Sequence, residues 1–206
     1  MFERFDYMKI DLEYSSALTG ASFLFFEMKK VVELSIQELS EKEIRKKVID
    51  ENLFEYKHTS SLKRSLPSLL RRVNALDYVL KQRLLEDSLE TGKIINLYAI
   101  MKTDRLFFEF MNEVISEKLA DQDFQLEKKD INLYFSSKAE QSPVVAKFTE
   151  QTVRKLQQVH QRILQEAGIL VDPKSGKLAY PIIDTDLQYY LRSIGDEAYL
   201  KAMGVE

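Results

Sequence analysis

Apolar residues between positions 62 and 80 recur as Leu62, Leu66, Leu69, Val73, Leu76 and Leu80, at intervals of 4, 3, 4, 3 and 4. At about 100° per residue this spacing draws one narrow stripe down a helix, with Arg64, Arg71 and Arg72 on the opposite side. The same periodicity predicts a first helix over residues 20–39, with Phe23, Phe26, Val31 and Leu34 at helical spacing. Ser40 and Glu43 form a capping box, so a second helix starts at Glu41 and runs to Asp50. Residues 52–59 read as a connection. The striped helix then starts after Ser60 or Ser61 and extends to Arg83. Pro67 removes one backbone bond and restricts Leu66, which places a bend there or moves the start to Ser65.

Thr91 reads as the cap of a helix over 92–119 that is apolar on most sides, the pattern of an element at the centre of a fold. Lys102, Asp104, Arg105 and Glu109 interrupt it. Arg105 and Glu109 are four residues apart and predict an ion pair, with Asp104 capping or pairing elsewhere, in a network that fixes how the halves pack. Residues 121–129 are polar and divide the chain into an N-terminal half, 1–120, and a C-terminal half, 121–206. In the second half Asp130 caps a helix through Leu133 and Phe135. Ser142-Pro143 starts another, because proline is tolerated at the first helical position. Thr149 or Glu150 opens a longer helix with Val153, Leu156, Val159, Ile163 and Leu164 inward, ended by Gly168. Residues 169–180 hold two short apolar runs around Asp172-Pro173-Lys174-Ser175-Gly176, the chemistry of a hairpin turn. A last helix or pair spans 185–203, broken at Gly195. With 6 glycines and 4 prolines in 206 residues, a sandwich or barrel is disfavoured. The expectation is a mainly α, compact multi-helix globule with two helix-turn-helix-like elements and one small β-hairpin wing.

Charge adds a direction. Between positions 57 and 83 lie Lys57, Lys63, Arg64, Arg71, Arg72, Lys81 and Arg83 against one acid, Asp77. That segment carries +6 in a chain of net charge −3, which leaves −9 for the rest. A segregated basic face can neutralise phosphates even on an anionic protein. It can equally dock on the acidic remainder of the chain or on a partner. Helices 41–50 and 65–83 form the first helix-turn-helix candidate. The second consists of 130–140, 143–148 and 150–167, with 169–180 as its wing. Outward positions of 150–167 include Arg154, Lys155, Gln158, Gln161, Arg162 and Gln165. Arginine and glutamine match guanine and adenine edges in the major groove, though such a face is also that of an ordinary solvated helix. The candidate nucleic-acid contacts are the seven basic residues of 57–83 together with Lys147, Arg154, Lys155 and Arg162.

Other chemistries find little support. There is no cysteine, hence no disulfide, thiolate zinc site or cysteine nucleophile. His58 lies in a connection within reach of a phosphate. His160 borders an apolar stripe and reads as a packed, hydrogen-bonded core residue. Gly92-Lys93 resembles the end of a P-loop, but Asp87 stands where its first glycine belongs and Ile94 where Ser or Thr belongs. The carboxylates show no catalytic constellation. The expectation is a protein that is not an enzyme and has no cofactor or metal. No run offers the roughly 20 apolar residues of a membrane span. Residues 94–115 include Lys102, Asp104, Arg105, Glu109 and Glu113. The chain opens Met-Phe-Glu-Arg-Phe-Asp, with acids where an export signal carries lysines. A cytoplasmic protein is expected, and residues 14–20 read as a polar cap before the first helix.

Three blocks resemble a known family. They are Thr19-Gly20-Ala21-Ser22-Phe23-Leu24-Phe25-Phe26-Glu27, then Leu97-Tyr98-Ala99-Ile100-Met101-Lys102-Thr103-Asp104-Arg105-Leu106-Phe107-Phe108-Glu109-Phe110-Met111, then residues 139–168, opening Ala139-Glu140-Gln141-Ser142. They are similar to the BrxA family, small core proteins of BREX bacteriophage-exclusion systems. The likeness extends over residues 14–203. It implies a helical bacterial protein with two helix-turn-helix elements that binds double-stranded DNA. It also implies BREX partners such as a site-specific adenine methyltransferase and ATPases. Homologues have been labelled inner-membrane proteins, which the charge pattern argues against here. The family brings no catalytic motif. The DNA-contact residues named above come from the charge pattern alone, and Pro67 is unusual in a recognition helix. The leading expectation is a non-enzymatic DNA-binding accessory protein of a phage-defence complex. The alternatives are a protein-interaction adaptor docking an acidic partner surface, or an RNA-binding helical domain.

Overall fold

The structure, a computed structural model, describes residues 12–37 and 39–205. The acidic opening at 1–6 lies outside them. A 3₁₀ turn at Ala17–Gly20 leads into extended chain, and α1 (Phe25–Ile36) begins five residues later than its periodicity predicts. The carbonyls of Ala21 and Phe23 are taken by a side chain, Arg72, and are lost to a helical ladder. Leu24 turns the chain into α1 with a left-handed φ of 49°. The capping box opens α2 (Glu41–Asp50) as expected: the Ser40 amide donates to the Glu43 carboxylate at 2.9 Å.

The leucine stripe is buried throughout, but it spans two helices, α3 (Thr59–Asn74) and α4 (Tyr78–Glu86). Asp77 makes the break by accepting the Leu80 amide at 2.9 Å and capping α4. Pro67 sits inside α3 on its exposed side, where water can satisfy the freed carbonyl. The expected single helix over 65–83 is therefore corrected to two. The next helix is likewise interrupted. Ser88, rather than Thr91, caps α5 (Leu89–Thr103), accepting the Thr91 amide at 3.1 Å. Extended backbone at Asp104 ends it, and the Asp104 carboxylate caps α6 (Arg105–Phe110) through the Phe107 amide at 2.9 Å. A π-helical turn, Met111–Ile115, and α7 (Ser116–Ala120) follow. Residues 94–101 are buried on every side, as an all-round apolar helix requires.

In the second half Glu127 caps α8 (Lys128–Gln141), with Asp130 at the third helical position returning a bond to the Glu127 amide at 2.8 Å. Ser142-Pro143 starts the short α9 (Pro143–Ala146). Thr149 caps α10 (Glu150–Glu166), and Gly168 turns the chain away at φ 82°. The hairpin pairs β1 (Leu170–Asp172) with β2 (Lys177–Leu178), and Gln125 bridges to the other edge of β2 at Lys177. A Cβ at Gly176 would overlap the Leu126 carbonyl, so only glycine fits at this turn. Then come α11 (Thr185–Ser193) and α12 (Glu197–Ala202), parted at Gly195 with φ 81°. The fold is mainly α.

One apolar cluster runs from Leu18 to Met203 across residues 120 and 121. Polar links cross with it: Lys102 to Asp196 at 2.6 Å, Arg83 to Asp184 at 2.7 Å and the Tyr190 hydroxyl to Asp77 at 2.9 Å. Arg105 pairs with Glu109 at 2.7 Å, as its spacing predicts. Lys138 of α8 joins at 2.7 Å to Glu109 and 2.5 Å to Glu113, and Tyr14 donates to Glu109 at 2.8 Å. Burial pushes the Glu109 carboxyl up, but the bonds from Lys138, Arg105 and Tyr14 outweigh it and leave it below the usual range. Burial and the Glu109 bond push the Tyr14 phenol up to about 12.

Two core residues depart from expectation. Arg72 is only 1% exposed, not solvent-facing. Its guanidinium donates to Ala21 O at 2.6 Å and Phe23 O at 3.1 Å. Ser65 and Ser68, two turns and one turn earlier, are also buried, so the buried face of α3 is wider than its leucine stripe. Burial pulls the Arg72 pKa down to about 10, which leaves it charged at neutral pH; the field of Asp104 opposes that fall. Burial pushes Asp104 itself up to about 6, with the Phe107 amide and Arg72 acting against the rise. His160 is buried among Phe107, Phe110 and Phe135, with ring centroids 5.1, 5.1 and 5.3 Å away. It is packed, but among the described residues neither ring nitrogen has a hydrogen-bond partner, and burial lowers its pKa to about 3.

Replacing Arg72 with alanine strands the buried Ala21 carbonyl, leaves that of Phe23 to Asn96 alone and removes the main counter-charge of Asp104, so urea unfolding is expected to show a loss of about 3–5 kcal/mol. Exposed Arg71→Ala is expected to stay within about 0.5 kcal/mol; equal losses for the two would contradict the clamp. His160 and Asp104 act oppositely with pH. Below pH 6.5 the unfolded chain binds a histidine proton that the fold refuses, so stability falls toward pH 3. Folded Asp104 takes its proton near pH 6, before the unfolded carboxyl does, so stability is gained from there down to 3.8. His160→Leu is therefore expected to shift the pH 7.5-to-5 difference in unfolding free energy by about 2 kcal/mol in favour of pH 5. An unchanged difference would refute the neutral, buried imidazole.

Candidate nucleic-acid interface

On α10 the inward positions Leu156, Val159, His160, Ile163 and Leu164 are buried. The opposite side carries Gln151, Lys155, Gln158, Arg162 and Gln165, all exposed, with Arg154 beside them. Intervals of 4, 3, 4 and 3 put those five in one line along the helix. Thr149 accepts the Thr152 amide at 3.2 Å, and Gln157 donates to Asn132 of α8 at 2.9 Å, which orients the helix.

Facing this side of α10 is segment 19–24, the end of the 3₁₀ turn and the chain that follows it, which Arg72 holds from within. Between them lies a cleft of about 680 Å³, bounded by Thr19 on one side and by Gln151, Arg154, Lys155 and Gln158 on the other. A second hollow of about 270 Å³ continues it past Gly20, Ser22 and Leu24 toward Arg162. Gly20 also receives α3. A Cβ there would stand 3.0 Å from Arg64 Cγ, so the missing side chain lets Arg64 lie against the wall of the cleft. Arg64 from the first half thus lies against Gly20, which lines the second hollow together with Lys155 and Arg162 of the second half. The field of Arg162 also reaches the Tyr56 hydroxyl, next to Lys57.

The sequence-predicted cations divide into groups. Lys57, Lys63, Arg64, Lys147 and Lys155 are exposed and make no ion pair with a described residue. Arg71 is exposed and donates to Ser68 at 3.1 Å. Arg154 pairs with Glu150 at 3.3 Å and Arg162 with Glu166 at 2.7 Å, each along the surface of α10. Exposed pairs of this kind are worth about 0–1 kcal/mol, so a phosphate can displace them. Arg72 leaves the group, because its guanidinium is spent on carbonyls in the core. Lys81 is half-buried, and burial lowers its pKa. Arg83 is held between Asp87 and Asp184, both at 2.7 Å, which neutralises it beside α11. The break at Asp77 is the reason: it puts Lys81 and Arg83 on α4, a different helix from the other arginines.

Sequence reasoning passed over two parts of this surface. Lys174 and Lys177 are exposed on the hairpin that follows α10. Their turn was legible, but no local excess of charge singled them out. Thr19 reads as part of a polar cap and Gly20 and Ser22 as the first turn of a helix, since nothing local reveals that α10 packs there. Among the described residues no group of His, Cys, Asp and Glu is placed to hold a metal ion, and no helix is long and apolar enough to cross a membrane.

Comparison with known proteins agrees with the resemblance noted from the three sequence blocks. The profile of the BrxA family matches residues 12–195. A BREX protein BrxA from Bacillus cereus (strain H3081.97) is 40% identical over 188 residues, covering 91% of this chain and 94% of the relative. The BREX protein BrxA of Escherichia coli O9:H4 (strain HS) is 20% identical over 195 residues, covering 95% and 92%. A crystal structure of a protein from Magnetospirillum magneticum superposes with a TM-score of 0.81 at 21% identity, over 95% of this chain and all of that one, and so shares the fold. The profile match and the 40% relative, each spanning most of the chain, establish that it belongs to the BrxA family of BREX phage-defence systems.

Proposed function

We propose that this chain is a non-enzymatic, double-stranded DNA-binding accessory protein of its BREX complex, working in the bacterial cytoplasm beside the system's methyltransferase and ATPases. The observation that carries this reading is that Arg64 of the first half packs on Gly20, in the hollow that Lys155 and Arg162 of the second half line. Cations from both halves thus border the same segment of chain. The order α8, α9, α10, β1, β2, with the Gln125 bridge on the far edge of β2, follows a winged helix-turn-helix. In that arrangement α10 enters a major groove about 12 Å wide, and the hairpin lysines reach the flanking backbone. The first helix-turn-helix candidate takes a narrower part. With Arg72 buried and Arg83 neutralised, α3 supplies phosphate contacts through Lys63, Arg64 and Arg71.

Lys57, Lys63, Arg64, Arg71, Lys155 and Arg162 neutralise about six phosphates on this reading, which sets the slope of log affinity against log salt near −5. A mobility-shift titration on one duplex at several salt concentrations checks it, and a slope of zero would discard phosphate neutralisation. Joint Arg64→Glu and Lys155→Glu is expected to weaken binding to every duplex at least about tenfold, whereas Arg83→Gln leaves it within about twofold. Tighter binding to duplex or single-stranded RNA than to DNA would favour the RNA-binding alternative. Co-purification with the methyltransferase or an ATPase, with no nucleic acid retained, would favour the adaptor.

A further inference from the structure

The glutamines of α10 fall into two classes. Gln157 donates to Asn132 Oδ1 at 2.9 Å and Gln161 donates to the Gln157 carbonyl at 3.3 Å, so both amides are engaged within the protein. Gln151, Gln158 and Gln165 are exposed, and their side-chain amides make no hydrogen bond with any described residue. These three recur every seven residues, and Lys155 and Arg162 alternate with them. The line of side chains that faces away from the core thus presents amide, ammonium, amide, guanidinium, amide.

An unengaged carboxamide offers a donor and an acceptor in one plane. Adenine presents the complementary pair in the major groove, its N6 amino group and N7. A helix whose outward line held only cations could grip phosphates or guanine edges but could not offer adenine a donor and an acceptor together. Gln158 stands in the middle of the line and borders both hollows, opposite Thr19 and Ser22, where a strand lodged against segment 19–24 would pass. Seven helical residues advance about 10.5 Å, close to three base steps of about 3.4 Å, so Gln151 and Gln158 match bases about three steps apart.

Resting on the duplex-DNA reading above, we infer that binding is sequence-selective and that α10 carries the selectivity: Gln158, with Gln151, reads adenine, while Lys155 and Arg162 fix the register on the backbone. Gln158 is then a specificity-determining residue, and Gln157, its bonded neighbour, is not.

The test is selection from a pool of random 20-base-pair duplexes with the wild-type protein, Gln158→Ala and Gln157→Ala, followed by titration of selected and unselected duplexes. The wild type is expected to enrich a motif with a fixed adenine. Gln158→Ala is expected to lose preference at that one position and to bind the selected duplex about tenfold more weakly. Its affinity for unselected duplex and its salt slope should stay unchanged, and Gln157→Ala should enrich the wild-type motif. A pool that stays flat under all three proteins, or an equal loss for selected and unselected duplexes with Gln158→Ala, overturns the inference and leaves the DNA-binding reading standing. Failure of the wild type to retain any duplex at low salt overturns both.

Discussion

A guanidinium buried in an apolar core is costly, and the fold is organised around satisfying this one. Arg72 gives its donors to the Ala21 and Phe23 carbonyls, and Asn96 adds a third bond to Phe23 at 2.8 Å. Asp104 supplies the opposing charge from the junction of α5 and α6. Such an ion is tolerated only where its hydrogen bonds are made and a counter-charge lies near. The result is that a stretch of irregular backbone is fastened to the centre of the molecule. That stretch delays the start of α1 and forms the wall opposite α10.

Much of the fold can be read from local chemistry. Ser40 with Glu43, Ser142 with Pro143, Thr149, Gly168 and Gly195 each mark a helix end where the structure has one. The leucine stripe is buried as its spacing requires. The misread breaks share a cause. Asp77 and Asp104 lie within apolar periodicity that continues on both sides, so the pattern joins what their carboxylates separate. Arg72 was misread because arginine opposite a leucine stripe normally faces water, and only the fold shows that Ser65 and Ser68 widen the buried side. His160 was correctly read as core, but its lack of partners depends on which rings gather round it. Of the candidate interface, the cations of α3 and α10 were visible as charge. Their common border at Gly20 was not, because it joins positions more than 80 residues apart by sequence number.

The halves are joined by two unlike interiors. On one side lies a polar network in which Lys138 satisfies Glu109 and Glu113 and Tyr14 closes the set. On the other, His160 sits buried among three phenylalanines. The first fixes geometry through directional bonds, and the second fills space. Both hold α10 to the N-terminal half: α8 carries Lys138 and is tied to α10 through Asn132 and Gln157, while His160 belongs to α10 itself.

Segment 19–24 is gripped from behind by Arg72, and α10 is anchored along its inner face. The gap between them is therefore set in the free protein. On the DNA-binding reading proposed above, a long polyanion arriving there would meet a ready-made mould and need not first order a loop. Little chain entropy is then surrendered on association, and the rate of capture is governed by collision and electrostatic steering more than by rearrangement.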